Sequence, residues 1–111
     1  MSGKTILIQS EVLGRGEDKL GEKLMANFLR LLGESSDKPG SLVFWNTGVR
    51  LICEGSPVLD QLKRLEEQGV EIFACTTCLE YFSLTDKMMV GQPTTMGKSI
   101  QAMMNSETVC L

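Results

Sequence analysis

The sequence predicts a three-layer α/β domain in which a largely parallel sheet carries helices on both faces. Short runs that are apolar throughout, such as Ile6-Leu7-Ile8 and Leu42-Val43-Phe44-Trp45, have the composition of strands buried on both sides. These runs alternate with stretches of helical spacing, and that alternation implies right-handed βαβ crossovers. With 111 residues the chain holds one core and leaves no room for a second, so residues 1–111 are read as one domain.

The first strand covers residues 5–9 and is ended by Ser10 and the Gly14-Arg15-Gly16 turn. A long helix follows. Its Leu20, Leu24, Phe28, Leu31 and Leu32 recur at helical spacing as the face expected to pack on the sheet, Glu17 and Asp18 favour its first turn, and Gly33 stands at its stop. After a polar loop over 34–40, residues 42–45 form a second buried strand that closes at Asn46-Thr47-Gly48.

Residues 49–53 fit a strand by composition, but Glu54-Gly55-Ser56 and Pro57 behind them favour a short helical segment. From Ser56-Pro57 a helix turns Val58, Leu59, Leu62 and Leu65 inward and ends at Gly69. The third buried strand is 70–75. Then come a short helix over 79–82, a brief strand over 87–90, a helix over 94–104 capped by a threonine, and a last strand over 108–111. Trp45 and the methionines Met88, Met89, Met96, Met103 and Met104 are read as core-filling, with a subunit contact the alternative use of the methionines.

The hydrophobic fraction of 42% and charged fraction of 23% are those of a globular domain. A net charge of -3, with 11 Lys/Arg scattered among 14 Asp/Glu, supplies no positive stripe, which argues against nucleic acid and anionic membranes as partners. No apolar run approaches the roughly 18 to 20 residues of a membrane span. The N-terminal run is also too short for a signal segment, so the expectation is a cytoplasmic protein.

There is no His, which removes Cys-His and Ser-His pairs and leaves any zinc site only Cys and carboxylates. No metal and no cofactor are expected. Gly97-Lys98-Ser99 resembles the end of a P-loop, but the required earlier glycine position is Gln92, with Gly91 one residue too far away. Gly14-Arg15-Gly16 likewise fails as a dinucleotide fingerprint, because the third glycine position is Lys19.

What remains is Cys75-Thr76-Thr77-Cys78, where the third strand runs into a helix. In an open parallel sheet, sites gather beyond the carboxyl ends of the strands. A thiol at a helix N-terminus meets unpaired N–H groups and the positive dipole end, which favour thiolate. Such a thiolate can hold a sulfane sulfur as a persulfide or close a disulfide with its neighbour. The competing reading is packing, since buried cysteine is a common small core residue and Cys75 ends an apolar run. Cys53 and Cys110 form no second CxxC and are read as packing residues.

Taken together, several segments resemble the DsrE-like sulfur-relay family, in particular the carboxyl-terminal domain of YedF-type proteins of selenium metabolism. They are Gly14-Arg15-Gly16-Glu17-Asp18 with Leu20-Gly21 and Leu24-Met25, Asn46-Thr47-Gly48-Val49, and Cys53-Glu54-Gly55-Ser56. Further along they are Gly69-Val70-Glu71-Ile72, Cys75-Thr76-Thr77-Cys78-Leu79, and Val90-Gly91 before Thr95-Met96. The resemblance implies a five-stranded, largely parallel sheet, homo-oligomers (trimer or hexamer), and handling of sulfur or selenium by a cysteine at this strand end.

Cys75 matches the place of the relay cysteine. Thr76 departs from the expected glycine and narrows the approach to it. YedF-type proteins also usually carry a small sulfur-carrier domain in front, so here either a separate sulfur-carrier protein is the implied partner or the chain is a fragment of a longer protein. Two functions are therefore expected in competition. In the first, a sulfurtransferase-like protein carries a persulfide on Cys75 and resolves it with Cys78. In the second, a non-catalytic oligomeric module binds a partner or ligand in the crevice of Asn46, Gly48, Thr76 and Thr77.

Overall fold

The computed structural model describes residues 3–111. Strands β1 (Lys4–Ile8), β2 (Ser41–Phe44), β3 (Glu71–Cys75), β4 (Gln92–Thr94) and β5 (Glu107–Cys110) form one sheet in the order β4-β3-β2-β1-β5. Every neighbouring pair is parallel. The helices are α1 (Asp18–Glu34), α2 (Leu59–Glu67), α3 (Thr76–Tyr81) and α4 (Met96–Met104), and a 3-10 segment, Asn46–Ile52, follows β2. The predicted α/β fold with a five-stranded parallel sheet is thus observed, and of residues 49–53 the first four are helical while Cys53 is extended and bridges to Met88.

Strand register sorts the side chains into two layers. Ile6, Ile8, Leu42, Phe44, Ile72 and Ala74 point into the main core with Met25 and Leu29 of α1 and Leu62 and Leu65 of α2. Leu7, Val43, Phe73 and Cys75 alternate with them and lie on the opposite face, where Ser99 and Ala102 of α4 share a small cavity with Val43 and Phe73. Handedness explains the division. The chain steps in one direction from β1 to β4 and returns in a single long crossover to β5, so right-handed connections place α4 on the other side.

The sheet-facing side of α1 differs from the expected one. Gly21, Met25, Leu29 and Gly33 are buried, whereas Leu20, Leu24 and Leu31 are exposed and Phe28 and Leu32 are half-buried. Two apolar stripes lie side by side on this helix. The one that docks contains glycines, because the chain before α1 comes close: a Cβ on Gly21 would stand 2.8 Å from that of Val12.

The fourth strand also moves. Residues 87–90 do not join the sheet. The Met89 N–H donates to the Ile52 carbonyl at 2.9 Å and the Glu54 N–H to the Lys87 carbonyl at 2.9 Å, so this segment pairs with the end of the 3-10 segment. The edge position goes instead to Gln92-Pro93-Thr94, a site where proline's missing N–H is tolerated. Helix α4 begins at Met96, capped by the Thr95 hydroxyl, which accepts from the Lys98 N–H at 3.2 Å.

Three packing assignments are corrected. Met89, Met96 and Met104 are exposed and Met88 and Met103 half-buried. Cys110, on the edge strand β5, is exposed rather than packed. Trp45 is half-buried, with its indole Nε1 covered and without a hydrogen-bond partner among the described residues.

Candidate functional site: the Cys75–Cys78 strand end

The parallel pairing of β3 with β2 and β4 brings Cys75 to the carboxyl edge of the sheet, opposite Thr94. Cys75 is the N-cap of α3, and Cys78 sits in that helix's first turn. Their surroundings differ sharply. Cys75 is 2% exposed, while Cys78 is partly open and lines a cavity of about 420 Å³ with Asn46, Thr77, Tyr81 and Phe82. All four cysteines are free thiols.

The Asn46 backbone N–H donates to the Cys78 sulfur at 3.1 Å. Asn46 adopts a left-handed conformation, φ 53, and its side-chain Oδ1 accepts from the Thr47 N–H at 2.8 Å. Asn tolerates this region better than most residues because its short amide bonds locally. The turn that ends β2 is thereby shaped to aim one N–H at the thiol. Gly48 has a different task. A Cβ there would lie 2.5 Å from the Ile8 carbonyl oxygen, so glycine is required for the 3-10 segment to pass over the end of β1.

Of the sequence-predicted site residues, Asn46, Thr77 and Cys78 come together around the cavity. Cys75 is buried at the N-cap of the same helix, three residues before Cys78. Thr76 is half-buried outside the cavity wall, and Gly48 is buried packing.

Charge works against the expected thiolate. Burial pushes the Cys78 thiol up from its ordinary value. The Asn46 N–H opposes this, and the hydrogen bond and charge of Cys75 reinforce it. Cys78 is therefore a largely protonated thiol at neutral pH, reached through a mostly apolar opening.

Two features of the wall escaped sequence reasoning. The Tyr81 and Phe82 rings meet edge to face, 5.1 Å between centroids at 89°. The Arg50 guanidinium lies 4.6 Å from the Phe82 centroid and pairs with Glu11 at 3.4 Å. Nothing in local spacing joins residues 11, 50 and 82. Among the described residues, no group of three or more His, Cys, Asp or Glu could hold a metal ion, and no helix is long and apolar enough to cross a membrane.

The sequence profile of the DsrE/DsrF-like family matches residues 21–109, a span that takes in most of α1, the Asn46 turn and the thiol pair. The chain belongs to the DsrE/DsrF-like family. Solved structures agree on the fold. The YchN protein of E. coli superposes with a TM-score of 0.73 at 15% identity, covering 100% of both chains. A protein of unknown function from Methanobacterium thermoautotrophicum gives 0.72 at 16% identity over 97% of each chain. A conserved protein of unknown function from Bacteroides thetaiotaomicron gives 0.68 at 13% identity, covering 98% of this chain and 95% of its own. Among curated proteins no sequence match was found.

Proposed function

We propose that the chain is a sulfurtransferase-like carrier that takes sulfane sulfur, or its selenium equivalent, onto Cys78 and hands it to an acceptor thiol. The observation that carries this reading is the single thiol opening onto a cavity at the strand end, with one backbone N–H directed at its sulfur. The thiolate of Cys78 attacks the outer sulfur of a donor persulfide. The donor's S–S bond breaks, its thiolate leaves, and Cys78 becomes the persulfide. An acceptor thiolate then takes the outer sulfur and restores Cys78.

The sequence points to Cys75 as the carrier and Cys78 as the resolving thiol. The burial of Cys75 favours the exchange of those roles, with Cys75 a covered neighbour that helps push the Cys78 thiol up. A separate sulfur-carrier protein is the proposed donor or acceptor, acting in the cytoplasm. Assembly into trimers or hexamers is supported by two exposed apolar rows on opposite faces of the sheet, Leu20, Leu24 and Leu31 on α1 and Met96, Ile100 and Met104 on α4. Two distinct patches that meet head to tail close a ring when the rotation between copies closes.

Incubation with a sulfane-sulfur donor, followed by peptide mass spectrometry, tests the carrier role. One sulfur on Cys78 that is lost in Cys78→Ser and kept in Cys75→Ser supports it. A chain whose cysteines stay unloaded until denaturant is added is instead a non-catalytic binding module, with the same crevice as its ligand surface.

A further inference from the structure

We propose that Arg50 recognises the anionic end of a small sulfane-sulfur donor at the Cys78 cavity, and that Glu11 occupies the donor's place when the site is empty. The inference rests on the carrier reading above and adds the substrate class: a donor with a sulfonate or carboxylate close to its transferable sulfur.

Arg50 belongs to the same 3-10 segment as Asn46, the residue that bonds Cys78. Its guanidinium sits 4.6 Å from the centroid of Phe82, a ring that lines the Cys78 cavity. The arginine itself lines a second cavity, of about 290 Å³, that also includes Glu11, Cys53 and Ser56. Arg50 thus lines one cavity and is tied to the wall of the other through its contact with Phe82. Its side chain is 48% exposed, and among the described residues its ion pair is with Glu11, itself 42% exposed, through one contact of 3.4 Å.

A guanidinium offers five donors in a rigid fork suited to a two-oxygen anion, and this pairing uses one nitrogen at long range. An exposed pair of this kind is weak, so an incoming anion displaces the carboxylate at little cost. Stacking on Phe82 fixes the plane of the fork without consuming its donors.

The chemistry closes without a further reactant. With thiosulfate, the Cys78 thiolate attacks the outer sulfur, the S–S bond breaks, and its electron pair departs with sulfite. With glutathione persulfide, the leaving group is the glutathione thiolate. Both donors are anionic, one through sulfonate oxygens and the other through carboxylates.

The test compares alkylation of Cys78 by iodoacetate and iodoacetamide, reagents that differ in charge but not in reaction. The rate ratio of the two is measured in the wild type, Arg50→Gln and Glu11→Gln, alongside sulfur loading from thiosulfate and from glutathione persulfide. The ratio should fall about two- to five-fold in Arg50→Gln, the worth of one exposed ion pair, and rise by a similar factor in Glu11→Gln. That rise cannot come from misfolding. The donor whose half-saturating concentration increases in Arg50→Gln identifies the anion. Ratios equal in all three proteins overturn the proposal. Ratios that shift as expected while Cys78 gains no sulfur from either donor retain the anion site and overturn the carrier reading.

Discussion

The backbone N–H of Asn46 reaches the sulfur of Cys78 across 3.1 Å, joining two residues 32 positions apart in sequence. The bond favours the thiolate but is outweighed by burial and by the neighbouring Cys75, so the Cys78 thiol is pushed above its ordinary value. Four expectations follow from the geometry around it.

Alkylation of Cys78 by iodoacetamide should accelerate with pH to a plateau whose midpoint lies above 9.0, the ordinary thiol value. Quantitative peptide mass spectrometry over pH 7 to about 11 checks this. A midpoint near neutrality would mean that the helix end dominates burial after all.

Stability should decline in alkali. Cys53 and Cys78 both have folded-state values raised above 9.0 by burial, so the native protein keeps protons that the unfolded chain releases. The unfolded state is then the one binding fewer protons, and unfolding becomes easier as pH rises through 9 and beyond. Their contribution is whole below that pH. Urea midpoints measured at pH 8 and at pH about 10 should differ less in Cys53→Ala than in the wild type.

On α1, Leu29→Ala should cost about 2–5 kcal/mol, because Leu29 is fully buried and its loss opens a cavity. Leu31→Ala, at a position 54% exposed, should cost under about 1 kcal/mol. Chemical denaturation of the two single variants distinguishes the observed inner face from its neighbour. A larger loss in Leu31→Ala than in Leu29→Ala would place the helix in the rotation expected from leucine spacing.

Gly48→Ala should fail to fold stably, with a loss of several kcal/mol, roughly the upper range of single-residue effects. Its Cβ would meet the Ile8 carbonyl oxygen at 2.5 Å, and backbone is on both sides of the clash. Soluble yield and thermal denaturation report it. A normally stable variant would show that the 3-10 segment can lift away from β1.

The order of elements, the parallel sheet and the placement of the thiol pair at a strand end were all legible from residues 5–9, 42–45 and 70–75, because strands buried on both faces are apolar throughout. The sequence by itself also excluded histidine chemistry and phosphate-cradling loops. Tertiary structure decided what depends on contacts between distant segments. It selected the glycine-bearing stripe of α1 over the adjacent leucine row, since only the approach of Val12 distinguishes them. It gave the sheet edge to Pro93 because residues 87–90 were drawn off to pair beside Cys53. It also buried Cys75, left Cys78 open, and stacked Arg50 on Phe82, since solvent access and long-range charge are properties of the packed chain and not of any local run.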